Sequence, residues 1–391
     1  MMYPAALAAT LAVAGTVVAL PADRFSPPPP AGDTRLRAGD FVGAAAAYAR
    51  RLQSNRRDPD ANLGIARLDL YTDNLRDALT HARAALAADP SNRAAARLTA
   101  QIAQRIEDVA AGYRFSFERG RIDVPFAQVD PLPVIMVTIN GRAARLVLDT
   151  GAPGLDLSAA FAAKAGVKAT AARTGFFAGG RTATVKTGGR VDSLIIGSLA
   201  VSGIPAGIAP VPDPSIDGVV GTDFLYHFLA TIDYANGRLI LRPKSASAAF
   251  ERAAAAAGDT VVPMYLVPDH FVFARGRVNA GPEGLFSIDT GGAMIGLDLT
   301  KASLLADHVE ADASQPLVVM GGGGPVQALP FTANAVSLGG FTVRNVPGVY
   351  IAEGNPYRNF PFTVAGRISH EFFRHSSLTF DFSAMKLILS P

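Results

Sequence analysis

The stretch "LVLDTGAPGLDLS", Leu146 to Ser158, ends an apolar run on an acid and follows it at once with a threonine and a glycine. Near the other end of the chain, "LFSIDTGGAMIGLDLT", Leu285 to Thr300, does the same. Both have an apolar lead, then Asp-Thr-Gly, then Leu-Asp-Leu a few residues on. Taken singly, either triplet reads as an ordinary strand-ending turn capped by Asp. Taken together, they ask whether two such turns serve one site.

The flanks answer that question. "VPFAQVDPLPVIMVTINGRAARLVLDTGAPGLDLS" aligns with "VPMYLVPDHFVFARGRVNAGPEGLFSIDTGGAMIGLDLT". Further on, "DGVVGTDFLYHFLATIDYANGRLIL" aligns without gaps on "AGRISHEFFRHSSLTFDFSAMKLIL". Gly218 falls on Gly366, Phe224 on Phe372, His227 on His375, Asp233 on Asp381 and Leu239 on Leu387. The repeated unit is rich in Val, Ile, Leu and Thr and is broken by Gly, Pro and Asn-Gly, so it reads as β-strands. Asn140-Gly141 between two apolar runs is a strong hairpin signal. A duplicated β unit with one Asp-Thr-Gly per copy suggests that the copies face each other.

Composition narrows what the rest can be. The chain has 391 residues, 49% hydrophobic and 18% charged, which is enough for two or three domains with sizeable cores. Its 36 basic and 33 acidic residues leave a net charge of +3, which gives no reason to expect a nucleic-acid partner. With no cysteine, thiolate catalysis, disulfides and zinc–thiolate sites are excluded.

The N-terminus carries an apolar run, Ala5 to Leu20, that ends in small residues and Pro21-Ala22. It reads as a signal peptide over 1–22, although no Lys or Arg precedes the run. The expected location is therefore periplasmic or secreted. No membrane span is expected unless this segment stays uncleaved. A Pro-rich linker, 23–33, follows. Residues 34–111 are Ala-rich with a helical pattern and repeat at 34 residues, as in Asp40/Asn74, Phe41/Leu75 and Ala44/Ala78. This segment is similar to tetratricopeptide repeats, and two units are below the three or so that usually stand alone. It is expected to lean on the first β unit or on another chain, and it offers a surface for a protein partner.

The β units, 112–243 and 261–391 with a linker at 244–260, carry a more specific resemblance. Apolar-apolar-x-Asp-Thr-Gly followed by a later apolar-apolar-Gly is similar to the retropepsin-like aspartyl proteases, closest to bacterial members with two such domains in one chain. The resemblance implies a mainly β, two-lobed acid-protease fold with barrel-like lobes behind a short helical segment. It implies an aspartic endopeptidase acting on a peptide or protein substrate. Asp149 and Asp289 would be its catalytic pair, one from each lobe, activating a water without cofactor or metal. Thr150 and Thr290 would lock the two loops together, and Gly151 and Gly291 would let the backbone approach the carboxylates. Two Gly-rich stretches, Thr174–Val185 and Val318–Leu329, are the expected flaps over the substrate.

Departures from the pattern keep a second reading open, a catalytically inactive protease-fold adaptor in the periplasm. Lobe one has the expected Val219-Val220-Gly221, but lobe two has Arg367-Ile368-Ser369. The residues after the triplets, Ala152 and Gly292, have no hydroxyl to hydrogen-bond the carboxylates. That predicts a pair whose shared proton is held toward neutrality, with a pH profile centred at about pH 5 to 6.5. "HEFFRH", His370 to His375, is one residue too long for a zinc-protease helix, since i and i+5 do not share a face.

Overall fold

The strands at the centre of the molecule come from both halves of the chain. The computed structural model describes residues 30–391 apart from 112, 116, 118–119, 268–269, 353–356 and 358–359. The signal peptide expected over 1–22 and residues 23–29 of the Pro-rich stretch lie outside the described residues.

A six-stranded antiparallel sheet runs in the order Ile122–Gln128, Arg238–Pro243, Phe228–Asp233, Ser377–Asp381, Lys386–Ser390, Thr260–Val267. The first three strands belong to lobe one and the last three to lobe two. Their junction is the register Thr231↔Thr379, where the two hydroxyls meet at 2.8 Å in the buried centre. These threonines are equivalent in the sequence repeat, so a pseudo-two-fold axis passes between them. Every residue of Phe228–Asp233 is buried, which a sheet covered on both faces requires.

Each lobe then builds the same unit on this base. In lobe one, Val134–Ile139 and Arg142–Leu148 form the expected hairpin. Asn140 and Gly141 adopt φ of 48° and 76°, the left-handed pair that a tight hairpin turn needs. Arg142–Leu148 runs parallel to Gly218–Val220, which in turn pairs antiparallel with Leu155–Leu157. Lobe two repeats this with Gly284–Ile288, Gly366–Ile368 and Leu297–Leu299. The apolar residues flanking each acid fill one core common to both lobes, among them Leu146, Leu148, Leu157, Ile288, Leu297 and Ile368.

Five helices precede the strands: α1 (Ala31–Arg37), α2 (Phe41–Ser54), α3 (Pro59–Tyr71), α4 (Leu75–Ala88) and α5 (Arg93–Ala111). The pairs α2–α3 and α4–α5 start 34 residues apart, and Asp40, Asp58 and Asn92 cap helix starts through their side chains. The first helix begins inside the stretch read as linker. The segment reaches lobe one, as expected, and its largest apolar contact is with lobe two. Phe41 packs edge-on against Tyr265 at 4.7 Å and Phe362 at 5.1 Å, in a cluster with Tyr71, Phe273 and Leu285. Lobe two offers these aromatics outside the core that the lobes share. The reach to lobe one is more polar, with Val109 of α5 packed against the shared core. The Tyr226 hydroxyl donates to Asp73 at 2.6 Å, and Arg105 lies 3.6 Å from Asp223 and over the Tyr226 ring. The helices thus bridge both lobes. Among the described residues, no helix is long and apolar enough to cross a membrane.

Candidate active site

Each Asp-Thr-Gly sits where its strand leaves the core. Arg142–Leu148 delivers Asp149 and Gly284–Ile288 delivers Asp289, and both backbones are pinned from the side. Asp149 N–H donates to Val220 O and Asp289 N–H to Ile368 O, each at 3.0 Å. The two loops meet across the pseudo-two-fold axis, so the predicted pair of acids comes together. Each carboxyl stands against the glycine of the other loop, and the two acids act on each other.

The threonines hold this contact. Thr150 Oγ1 donates to Ile288 O at 2.9 Å, and Thr290 Oγ1 donates to Leu148 O at 2.8 Å. Each hydroxyl also accepts the other threonine's backbone N–H at 3.1 Å. Both side chains are buried, so these four bonds are shielded from water. The glycines leave the room that the pair needs. A Cβ at Gly151 would lie 2.6 Å from the Asp289 carboxyl carbon, and one at Gly291 would press on Asp149 in the same way. Each glycine N–H donates to the acid two residues before it, Gly151 to Asp149 at 2.9 Å and Gly291 to Asp289 at 2.8 Å.

Here the two halves stop matching. In lobe two, the Arg367 guanidinium donates to Asp289 Oδ2 at 2.9 Å and reaches Asp298 Oδ2 at 3.4 Å. In lobe one, the equivalent Val219 packs in an apolar cluster with Val134, Val147 and Ile216. The sequence predicts one shared proton held by the pair toward neutrality, and the structure makes the two acids that share it unequal. Burial, then the charge of Asp289, pushes Asp149 up to about 8. Burial also acts on Asp289, yet the Arg367 guanidinium and the Gly291 N–H together hold it below the ordinary Asp value.

The serine that replaces the expected glycine also has a role. Ser369 Oγ donates to Asp289 O and accepts Gly292 N–H, the latter at 3.0 Å. Lobe one solves the same packing the other way round, with Gly221 under the Ala152 carbonyl and no space for a Cβ. Ala152 with Gly221 and Gly292 with Ser369 are therefore two versions of one fit. The hydroxyl missing after the triplet is supplied from position 369, but to the backbone rather than to the carboxylate.

Both Gly-rich stretches form hairpins. Ala171–Phe176 pairs with Thr182–Ile196, and Leu317–Gly321 with Gly324–Leu338. Their tips touch, since a Cβ at Gly179 would lie 2.6 Å from Val326 and one at Gly321 would lie 3.3 Å from the Ala178 methyl. The Phe177 ring sits against Gly322.

Two neighbours of the pair gave no signal in the sequence. Tyr234 is buried beside Asp289 and Thr290, and Tyr357 is buried beside Asp298 and Arg367. Asp130, His370 and Glu371 offer ligand atoms within 4.8 Å of one another. Arg374 already occupies that cluster, at 2.7 Å from Asp130 and 3.8 Å from Glu371, so a metal ion would have to displace a guanidinium.

A family model described as aspartyl protease matches the chain twice, over residues 135–224 and 274–359. The first match runs past Val219-Val220-Gly221, whereas the second stops short of Arg367. No curated protein matches the chain. The two matches and the architecture agree on a mainly β, two-lobed acid-protease fold with an N-terminal helical segment.

Proposed function

We propose that this protein is an aspartic endopeptidase that cleaves peptide bonds with a water held between Asp149 and Asp289. The observation that carries this reading is the pair itself, two carboxyls facing each other at a pseudo-two-fold axis on loops locked by the reciprocal threonine bonds. The two family matches support a protease-type function.

The chemistry follows from one proton shared by two acids. The ionised carboxylate takes a proton from the water as its oxygen bonds to the scissile carbonyl carbon. The protonated partner gives its proton to the carbonyl oxygen, which leaves a neutral diol. In the second step the C–N bond breaks, and the nitrogen takes the proton that came from water. A diol hydroxyl returns its proton to the other acid, which restores the starting state. The two hairpin tips must part to admit a chain, and they exclude bulk water when they close again.

The test is peptide cleavage by the full chain and by Asp149→Ala, Asp289→Ala and the double variant. Residues that act as one unit do not contribute additively, so each single change should abolish turnover and the double should be no worse. A folded single variant that cleaves at near the parental rate would overturn the assignment.

A further inference from the structure

We propose that Arg367 is a positioning residue that fixes the roles within the pair, holding Asp289 as the carboxylate that activates water and leaving the shared proton on Asp149. This inference rests on the protease reading above.

The geometry supports an unequal pair. Arg367 lies on Gly366–Ile368, in register with Ser287 on one side and Asp298 on the other. From there its guanidinium reaches Asp289 at 2.9 Å, and the side chains of Arg367, Asp289 and Asp298 are only 13–14% exposed. A carboxylate so close to a cation in a poorly hydrated site is strongly favoured in its charged form. Among the described residues Asp149 makes no ion pair. The position equivalent to Arg367 is Val219, and the side of lobe one that would face Asp149 is the apolar cluster of Val134, Val147 and Ile216. The shared proton therefore has a set place, on Asp149 and facing the Asp289 carboxylate.

The remaining titratable neighbours do not reverse this. Asp298 shares the guanidinium at the longer distance of 3.4 Å. Its own burial favours its neutral form, which returns more of the positive charge to Asp289. Tyr234 and Tyr357 are pushed above their ordinary range by burial and by the Asp289 and Asp298 carboxylates respectively, so both are neutral phenols. Within this cluster Arg367 is the cation that acts on the pair.

A consequence for catalysis follows. The singly protonated state persists until Asp289 takes a second proton on the acid side. Arg367 delays that event, and so it extends activity toward low pH.

Two measurements test the proposal on the full chain. Carboxyl-carbon NMR titration of Asp-labelled protein, with Asp149→Asn and Asp289→Asn assigning the two signals, reads the proton without requiring turnover. Asp289 should be ionised from below the ordinary Asp range, and Asp149 should titrate last. The reverse order would overturn the proposal whatever the variants do. The pH dependence of kcat/KM is the second measurement. Arg367→Val, which copies lobe one, should move the acid limb up by about 1–3 pH units, the reach of one neighbouring cation. Arg367→Lys should keep the limb near its parental place. A folded Arg367→Val enzyme with an unmoved acid limb would overturn the proposal. The expected titration order without cleavage at any pH would support the proton assignment and count against the protease reading instead.

Discussion

Asp149→Asn should make the protein more stable at pH 7, although it removes half of the catalytic pair. In the folded chain Asp149 stays protonated to about pH 8, whereas in the unfolded chain an aspartate ionises near about 3.9. Folding at pH 7 therefore forces a proton onto this carboxyl. At about 1.4 kcal/mol per unit, the three-unit gap to neutral pH costs up to about 4 kcal/mol. An asparagine is the same shape, needs no proton and can still donate to Asp289. The expected gain is about 2 to 4 kcal/mol at pH 7, with the lower figure allowing for desolvation of the amide. The sign with pH is fixed by the raised folded value. The Asp149 contribution is fully present below about 3.9 and is lost as pH rises toward 8, so the advantage of asparagine should shrink to under about 1 kcal/mol near pH 4. Asp289→Asn is the matched contrast. It takes a carboxylate from a buried guanidinium and leaves Arg367 with Asp298 alone, for a loss of about 2 to 3 kcal/mol, at the low end for a broken buried pair. Urea unfolding of both variants and the parent at pH 7 and pH 4 measures all of this. If the two variants move in the same direction at pH 7, the asymmetry reasoned here is wrong.

Three further outcomes are expected. Thr150→Ala should cost about 2 to 4 kcal/mol in urea unfolding, because it leaves the buried Ile288 carbonyl and Thr290 N–H without partners. Gly292→Ala would push a Cβ into Ser369, and Ser369→Gly would strip two backbone groups of a bond, each for about 1 to 3 kcal/mol. Together they recreate the Ala152 and Gly221 fit of lobe one, so the double variant should be less damaged than the sum by about 1 kcal/mol or more. A strictly additive double would show that the two fits are not equivalent. Phe41→Ala should cost about 3 to 5 kcal/mol and open α1–α3 to protease, since its ring joins the helices to Tyr265 and Phe362. Unchanged digestion kinetics would argue against that docking.

Much of the fold was legible because it is written twice. The matched strands fixed where Asp149 and Asp289 end up, and the Gly-rich stretches marked both hairpins. What could not be read lies in contacts that no local pattern encodes. Arg367 registered as an oddity in an apolar motif, but its purpose depends on facing Asp298 across one ladder while standing beside Asp289. Ser369 likewise looked like a defect until Gly292, distant in sequence, was seen to make room for it. The pH expectation could not assign the shared proton to one acid for the same reason, since it considered the neighbours of each triplet in sequence and not a cation that arrives from another strand. The docking on lobe two was not foreseen because the aromatics that receive Phe41, among them Tyr265 and Phe362, are scattered through that lobe.

The shared sheet with Thr231 on Thr379 at its centre is also a statement about symmetry. Two separate identical subunits could make the same sheet and bring together the same pair of acids. In such a dimer, however, every substitution appears twice, at mirrored places across the axis. An arginine at the Arg367 position would then face both aspartates, and neither acid would be favoured as proton donor. Joining the copies in one chain lifts that restriction. The helix Ser247–Ala257, between the strands Arg238–Pro243 and Thr260–Val267, lies in the covalent join that allows one lobe to carry a charge the other lacks.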